Sequence, residues 1–250
     1  MKNCLPGEGS RTGTLETVLD GLPVTAENDS ANRRVYAELS ITGLARFLSH
    51  AELLKGLERS CVRAGIDLHY SQGFNPRPHL SVPLPKSVGL ESTGDVLCLR
   101  LRQAGHAARQ ELTRQSIHDR LSAELPQGIS LLSLRMTSSR CSLQPYSARW
   151  TIPFNASKRS DTLRETVCRL LARDTIQVVR SQPSKPRKTK RKNIRQYLSS
   201  IEITPESIQV AYRMTPQGSV RLDEVLTLLG LDPADLEGPI QRSHIQWHFI

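Results

Sequence analysis

Residues 35–42 alternate between apolar and polar side chains, which is the pattern of a β-strand with one buried face. Its apolar positions are Val35, Ala37, Leu39 and Ile41. The period then changes to three and four residues, which is typical of an amphipathic helix. The apolar positions of this second pattern are Leu53, Leu57, Cys61 and Ala64.

Two local signals set the limits of that helix. Ser49 and Glu52 have the S-x-x-E spacing of a capping box, in which each side chain satisfies a backbone N–H of the other residue. Gly65 follows the last turn, where a left-handed residue commonly ends a helix. The sequence therefore predicts a helix from Ser49 to Ala64.

Together with the remaining apolar patterns, these two predict the order strand, helix, strand, strand, helix, strand in each half of the chain. In the first half, strands are predicted at 66–70, 79–82, 97–102 and 129–136, and a helix at 117–125. In the second half, strands are predicted at 150–154, 176–179, 201–203, 208–212 and 245–249, and helices at 163–171 and 222–229. This order is that of the split βαβ, or ferredoxin-like, fold.

We therefore predict an α+β fold of two tandem ferredoxin-like units with antiparallel sheets. The first unit covers residues 33–140, the second covers residues 146–250, and the two meet near residues 138–146. Residues 1–32 are rich in small polar residues and show no periodicity, which predicts a disordered tail.

The positive charge of the chain is concentrated in one segment. The formal net charge is +10, and the eleven residues 185–195 carry seven basic side chains and no acidic one. They are Lys185, Arg187, Lys188, Lys190, Arg191, Lys192 and Arg195. Without them the net charge would be 10 − 7 = +3. We predict a basic loop at 183–196 that binds RNA phosphates with little sequence specificity; a solvated loop without a ligand is the alternative.

A polar loop at residues 71–78 is the second candidate for binding. Gly73, Pro76 and Pro78 prevent regular structure there, while amide, hydroxyl, aromatic and guanidinium groups suit a polar or anionic ligand. The predicted ligand- or partner-binding residues, with those at the helix start, are Arg46, Ser49, His50, Tyr70, Ser71, Gln72, Gly73, Phe74, Asn75 and Arg77. A stiff connection whose side chains satisfy local backbone groups is the alternative.

His50 is the candidate catalytic residue. It occupies the first helical position, where the positive end of the helix dipole disfavours the imidazolium form. A neutral imidazole could accept a proton or a hydrogen bond from a ligand; a solvated first-turn histidine is the alternative. On the predicted fold we expect His50, Gln72, Asn75 and Arg77 to converge.

Four sequence blocks carry a family resemblance. They are F-L-S-H-x-[DE]-L at Phe47–Leu53, E-R-x-x-x-R-A-G at Glu58–Gly65, Y-S-Q-G-F-N-P-x-P at Tyr70–Pro78 and P-L-P-x-x-V-G-x-E-S at Pro83–Ser92. In this order they resemble the uncharacterised bacterial family called radical-SAM-linked protein, and weaker similarity extends to Arg242. The chain departs from the family pattern at Arg77, where histidine is usual, at Lys86-Ser87, and at Asn193–Arg195, which lacks the acid of a D-x-R-type motif.

The resemblance implies a companion of a separate enzyme. Family members occur beside, or fused to, a cobalamin-type radical SAM protein, and some lie near ribonuclease and ribosomal-protein genes. The family has no assigned reaction, so no catalytic residue is carried over. An iron-sulfur cluster and SAM are therefore expected only on a separate radical SAM partner.

The spacing of the cysteines also predicts that this chain binds no iron-sulfur cluster of its own. The five, at positions 4, 61, 98, 141 and 168, include no C-x-x-C and no C-x-x-x-C-x-x-C, whereas a radical SAM cluster needs three closely spaced thiolates. Zinc-site spacing is missing as well. We predict no cofactor and no metal in this chain, and buried reduced thiols at Cys61 and Cys168, which fall on apolar helix faces.

No stretch approaches 18 apolar residues, and the first ten residues lack the apolar core of a secretory signal. We therefore expect a cytoplasmic location and no membrane partner.

Three functions remain open. The first is an RNA-associated accessory protein of a radical SAM system, itself without a redox centre. The second is a stand-alone, endoribonuclease-like RNA-processing enzyme that uses His50, since tandem ferredoxin-like endoribonucleases place a general-base histidine near the first helix. The third is a pure protein-interaction module for a radical SAM enzyme. We favour the first, and lean towards a protein that is not itself an enzyme.

Overall fold

The structure of the protein is a computed structural model that describes residues 12–13, 33–102, 113–137, 142–154, 160–182 and 185–249. Its helices are α1 (His50–Arg63), α2 (Arg114–Glu124), α3 (Ser160–Leu171) and α4 (Leu222–Leu229). Its strands are β1 (Thr12–Gly13), β2 (Arg34–Ile41), β3 (Leu80–Ser81), β4 (Glu91–Arg100), β5 (Ile129–Thr137), β6 (Leu143–Pro153), β7 (Gln177–Gln182), β8 (Lys185–Asn193), β9 (Leu198–Ile203), β10 (Ser207–Arg213) and β11 (Gln241–Phe249).

Nine strands form one continuous sheet. Seven of them follow the order β5–β2–β4–β11–β6–β10–β9; outside this order, β3 pairs with β4 and β1 pairs with β11. The strand pairs in this sheet are antiparallel apart from β4 and β11, which run in parallel. The α+β class and a largely antiparallel sheet are thereby confirmed. The sequence predicts more than one sheet, however, and the β4–β11 pair joins the two halves into one.

Each half of the main sheet contains strands from one half of the chain, apart from β1. In the first half, β2 lies between β5 and β4, and β3 lies on the far side of β4. In the second half, β6 lies between β11 and β10, and β9 lies on the far side of β10. The strands β7 and β8 form a separate two-stranded sheet inserted between α3 and β9.

The alternation of β2 divides its side chains between two hydrophobic cores. Val35, Ala37 and Leu39 pack into the core that α1 and α2 cover. Tyr36 points to the other face and belongs to the core of the second half, with Trp150 and Trp247. The first face of the strand is therefore buried throughout, while its second face buries Tyr36 and leaves Arg34, Glu38 and Ser40 half-buried.

The strongest sequence patterns predict their elements correctly. Ser49 is the N-cap of α1 with a complete capping box, and Gly65 follows it with a φ of 60°. Weaker patterns miss polar strand segments. The strand β4 begins at Glu91, six residues before its first predicted position, and residues 66–70 form only isolated bridges at Leu68 and Tyr70.

The basic segment differs most from the sequence prediction. A loop is predicted at 183–196, but Lys185–Asn193 is the strand β8, paired with β7. Strand pairing uses backbone hydrogen bonds, so a run of lysines and arginines can form a strand without any hydrophobic alternation.

The prediction for the cysteines is half right. Cys61 is buried, and burial raises the pKa of its thiol to about 12. Cys168 is exposed, because α3 buries Leu163, Val167 and Leu170 on its other side. Residues 4 and 141 lie outside the described residues, as does the predicted tail 1–32 apart from β1.

None of the described helices is long and apolar enough to cross a membrane.

Candidate functional site

The capping box fixes the position of His50. The Ser49 hydroxyl accepts a hydrogen bond from the Glu52 N–H at 3.3 Å, and Glu52 Oε2 accepts one from the Ser49 N–H at 2.9 Å. The Ser49 hydroxyl also donates to Glu52 Oε2 at 2.6 Å, and these bonds lower the pKa of the Glu52 carboxyl. In the first turn that follows, the Nδ1 atom of His50 is buried without a hydrogen-bond partner.

The P-L-P-x-x-V-G-x-E-S block anchors the segment before α1. The buried Lys86 ammonium donates to the carbonyls of Arg46 at 2.6 Å and Leu48 at 3.2 Å. Glu91 accepts from the Gly43 N–H at 2.9 Å and lies 3.5 Å from the Arg46 guanidinium. The helix start with Arg46, which sequence reasoning assigns to binding, therefore lies beside the first residue of β4.

The polar loop closes on itself at a narrow neck. The Ser71 N–H donates to the Arg77 carbonyl at 2.8 Å, and the Arg77 N–H donates to the Ser71 hydroxyl at 3.0 Å. Tyr70 and Pro78, the next residues on the side away from the loop tip, form a β-bridge. The residues at the tip, Gln72, Gly73, Phe74 and Asn75, are exposed. The loop thus presents its polar side chains and a fully exposed Phe74 ring away from the core.

The expected convergence of His50 with Gln72, Asn75 and Arg77 is wrong. The loop is attached at the end of β4, where the His69 N–H donates to the Arg100 carbonyl at 2.8 Å. The start of α1 is attached at Glu91, the beginning of the same strand. Nine residue steps at roughly 3.3 Å each separate these points by about 30 Å. The predicted ligand-binding residues therefore form two surfaces at opposite ends of β4.

The hairpin β7–β8 is held to the second half through the middle of β7. Arg180 on β7 donates to Glu224 at 2.6 and 2.8 Å and to the Ser219 carbonyl at 2.7 Å. Burial raises the pKa of Glu224, but the hydrogen bonds and charges of Arg180 and Arg221 together outweigh burial and lower the pKa. Since both charged side chains are largely buried, this ion pair fixes the middle of the hairpin, where Arg180 is paired with Lys190.

The seven basic residues of the run are placed in three ways. Lys190 and Arg191 are exposed on β8. Lys192 donates to the Gln217 carbonyl, and Arg195 donates to the carbonyls of Arg173, Leu198 and Leu171 at 2.9–3.1 Å, so these two side chains secure the base of the hairpin. Lys185, Arg187 and Lys188 belong to β8, but their side chains lie outside the described residues.

A cleft that sequence reasoning missed lies near the loop neck. It has a volume of about 320 Å³ and is lined by Arg34 and Tyr36 of β2, Cys98 and Arg100 of β4, Pro78–Ser81, Pro83, Ser142 and Leu143. The alternation of β2 places Arg34 and Tyr36 on one face, so the sequence pattern could have predicted that these two residues share a surface. The contribution of β3 could not be found, because its two residues show no pattern.

The second missed feature is a buried charged cluster between the halves. Arg242 donates to Asp95 Oδ1 at 2.6 Å, to the Ser92 hydroxyl at 3.1 Å and to the carbonyls of Pro85 and Leu84 at 3.0 and 3.2 Å. Arg242 and Asp95 are each at most 3% exposed. The cluster links β11 to β4 and to the P-L-P block, which gives that block a structural role.

Among the described residues, no group of three or more His, Cys, Asp or Glu side chains is arranged to hold a metal ion.

The fold and these surfaces define an α+β protein with one large sheet, a basic hairpin and two polar surfaces on its first half. The chain matches the family described as an uncharacterised protein conserved in bacteria, DUF2344, over residues 34–222. This match covers about three quarters of the chain, and the chain belongs to that family. No curated protein matches it.

Proposed function

We propose that the protein is an RNA-associated accessory protein of a radical SAM system, without a redox centre of its own. One observation carries the RNA part: the most basic segment of the chain is a β-hairpin outside the main sheet, with Lys190 and Arg191 exposed. Basic groups on such an arm can follow a phosphate backbone, which gives affinity without sequence recognition.

The anchoring of the hairpin supports binding over simple solvation. A solvated charge run needs no fixed geometry, whereas Arg180, Lys192 and Arg195 all tie this hairpin to carbonyl or carboxylate groups of the second half. A fixed base reduces the conformational entropy that binding would otherwise remove.

We also infer that each half is a ferredoxin-like unit. Support comes from the element order of the split βαβ pattern and from the strand order, since the first strand of each half lies between the third and the last. The hairpin β7–β8 is then an insertion in the second unit. RNA-binding modules often have this fold, but fold likeness adds only weakly to the functional proposal.

The RNA proposal is tested by the salt dependence of RNA binding. Because each phosphate contact to a single strand contributes about 0.7 to the slope of log K against log salt, Lys190→Gln with Arg191→Gln should lower that slope by roughly 1.4. Titration of a labelled single-stranded RNA across a salt series measures it. The matched control, Lys55→Gln with Arg59→Gln, removes two exposed charges from α1 and should leave the slope nearly unchanged.

Equal losses in the two variants would show that only net charge matters, and would contradict an RNA-binding hairpin. The same incubations test the alternative of an RNA-processing enzyme, which the unpartnered Nδ1 of His50 favours. RNA cleavage by the wild type that His50→Ala abolishes would support that alternative. Cleavage that is absent, or equal in both proteins, would remove it.

The radical SAM partner is proposed from the family resemblance, and one surface fits it. Leu44, Phe47 and Val88 are 84%, 52% and 63% exposed. The Gly89 N–H donates to the Arg46 carbonyl at 2.9 Å, so the segments that carry these side chains lie together. Exposed apolar side chains grouped in this way are typical of an interaction surface.

Co-expression with a radical SAM protein encoded beside a family member, followed by size-exclusion chromatography, tests this surface. Leu44→Glu with Phe47→Glu should weaken the complex at least tenfold, since burying two carboxylates at an apolar contact is costly. Val62→Glu, at another exposed apolar position, is the matched control. A complex that forms without RNA binding would favour the pure interaction module, and no complex in any condition would contradict the partnership.

A further inference from the structure

We infer that the tip of the polar loop, residues 72–75, is a second RNA contact, at which the Phe74 ring stacks on an unpaired base. The inference rests on the proposed RNA association and adds to it a base-binding surface on the first half of the chain, apart from the hairpin β7–β8. A fully exposed aromatic ring carries it, on a loop whose backbone is fixed by hydrogen bonds.

The backbone of the loop is held in place without a ligand. Besides the two hydrogen bonds across its neck, the Arg100 N–H of β4 donates to the His79 carbonyl at 3.0 Å, and the His79 N–H donates to the His69 carbonyl at 2.8 Å. Pro76 has a fixed φ, and Gly73 has a φ of 136°, which favours glycine. A loop fixed in this way loses little conformational entropy when it binds a ligand.

The Phe74 ring is placed for stacking. Its side chain is 107% exposed, so both faces of the ring are open to solvent. Covering an exposed apolar surface is favourable, and a base covers one face of such a ring. Unpaired bases of single-stranded RNA are commonly bound in this way, with little dependence on sequence because every base has a π-face.

The neighbours of the ring favour a nucleotide over an apolar pocket of a protein. Gln72, Asn75 and Arg77 are exposed, and their side chains form no hydrogen bond or ion pair within the described part of the chain. Amide groups both donate and accept, as base edges do, and a guanidinium matches phosphate oxygens. An apolar contact surface groups its exposed apolar side chains, as Leu44 and Phe47 do near the start of α1, whereas Phe74 stands among polar ones.

The charge near the loop also suits RNA. No acidic residue occurs from position 68 to position 90. The acidic residue that precedes this segment, Asp67, accepts a hydrogen bond from the Arg102 guanidinium at 2.9 Å, which offsets its charge. A phosphate beside Phe74 therefore meets the positive charge of Arg77 and no carboxylate from its own segment.

The strand directions bring the loop and the hairpin to the same end of the main sheet. Because β4 is parallel to β11, and β11, β6, β10 and β9 are successively antiparallel, β9 runs opposite to β4. The end of β4, which carries the loop, therefore lies towards the same end as the start of β9, which follows the hairpin. Four strand spacings of about 4.8 Å separate β4 from β9 across the sheet, or about 19 Å. Single-strand sites of roughly 4–16 nucleotides are long enough to cover such a distance.

Two labelled strands of about 16 nucleotides, an oligouridylate and the same sugar–phosphate chain without bases, test the inference with the full chain. Phe74→Ala should weaken binding of the oligouridylate by roughly fivefold or more and leave binding of the abasic strand unchanged. Phe74→Tyr keeps an aromatic ring and should bind within about twofold of the wild type, whereas Phe74→Leu should behave like Phe74→Ala. Because Phe74 is fully exposed, these variants should fold, and thermal unfolding checks that they do.

Two further variants separate the loop from the hairpin and from a general loss of apolar surface. Lys190→Gln with Arg191→Gln should weaken binding of both strands and lower the salt slope, whereas Phe74→Ala should leave that slope unchanged, because a stacked ring contacts no phosphate. Val62→Ala, at an exposed apolar position on α1, should bind both strands like the wild type. A Phe74→Ala effect without a slope change in the hairpin variant would support the loop and contradict the hairpin.

Three results would overturn the inference and leave the hairpin proposal standing. The first is equal affinity of the wild type for the two strands. The second is a Phe74→Ala variant that loses affinity for neither strand, or for both alike. The third is a Phe74→Ala variant that keeps RNA binding but loses the complex with a radical SAM protein, which would assign the loop to a protein partner. A wild type that binds neither strand would overturn both proposals.

Discussion

At the scale of single residues, Ser49 and Glu52 show how the sequence fixes a local structure completely. Ser49→Ala removes the hydroxyl that bonds the Glu52 N–H and carboxylate, and should lower the free energy of unfolding by about 1 kcal/mol at pH 7. Urea denaturation followed by circular dichroism measures the difference.

The penalty of Ser49→Ala should also depend on pH. The folded pKa of Glu52 lies below the usual carboxyl value, so the Glu52 carboxylate stabilises the folded protein at any pH above the usual value. This contribution to the free energy of unfolding is lost as the pH falls through the folded pKa. The penalty should therefore be smaller in acid, below the folded pKa of Glu52, than at pH 7. Thr113→Ala is the matched control, because Thr113 caps α2 through the Ser116 N–H at 3.1 Å and the first turn of α2 contains no acidic residue. A penalty that is equally pH-independent in both variants would contradict a coupled capping box.

At the scale of elements, the sequence predicts those whose stability comes from their own apolar pattern. The stripe of α1 and the alternation of β2 both face a core, so their periods identify them. The first half of β4 has no such signal, because its Ser92 and Asp95 are buried and bonded to Arg242, about 150 residues away in sequence. A single sequence does not contain that pairing.

For the candidate sites as well, the sequence predicts local features but not contacts between distant residues. The exposed tip of the loop 71–78 and the basic run are visible in the sequence because their composition is unusual. Their spatial relation to His50 depends on the length and direction of β4, which the pattern does not supply. The cleft near the loop neck depends on the register of β2, β3 and β4 in the same way, so it emerged only from the structure.

At the scale of the whole molecule, the described residues join the two halves through shared apolar packing, few main-sheet hydrogen bonds and a buried charged cluster. The parallel pairing of β4 with β11 covers Glu91–Ser92 and Gln241–Arg242 only. Arg242 then crosses from the second half to Asp95, Ser92 and the P-L-P segment of the first. We therefore expect this cluster to help fix the relative position of the halves, beside the apolar packing of Tyr36 and Val96 against the second half.

Arg242→Met tests that role, because it leaves the Asp95 carboxylate buried without its partner. The variant should lose about 3–5 kcal/mol of unfolding free energy. Combining it with Asp95→Asn should cost less than the sum of the two single changes, since the double variant leaves neither the Arg242 nor the Asp95 charge without its partner. The matched control is Arg149→Met, which removes a partly buried arginine that bonds only Gln209 among its described partners, at 3.0 Å, and should cost under about 1 kcal/mol.

Two probes show whether the cluster couples the halves. Both tryptophans, Trp150 and Trp247, lie in the core of the second half, so fluorescence follows that half while circular dichroism follows the whole chain. The two unfolding curves should coincide in the wild type and in Arg149→Met, and should separate in Arg242→Met. Curves that stay coincident in Arg242→Met, with a loss no larger than that of the control, would show that hydrophobic contacts alone hold the halves together.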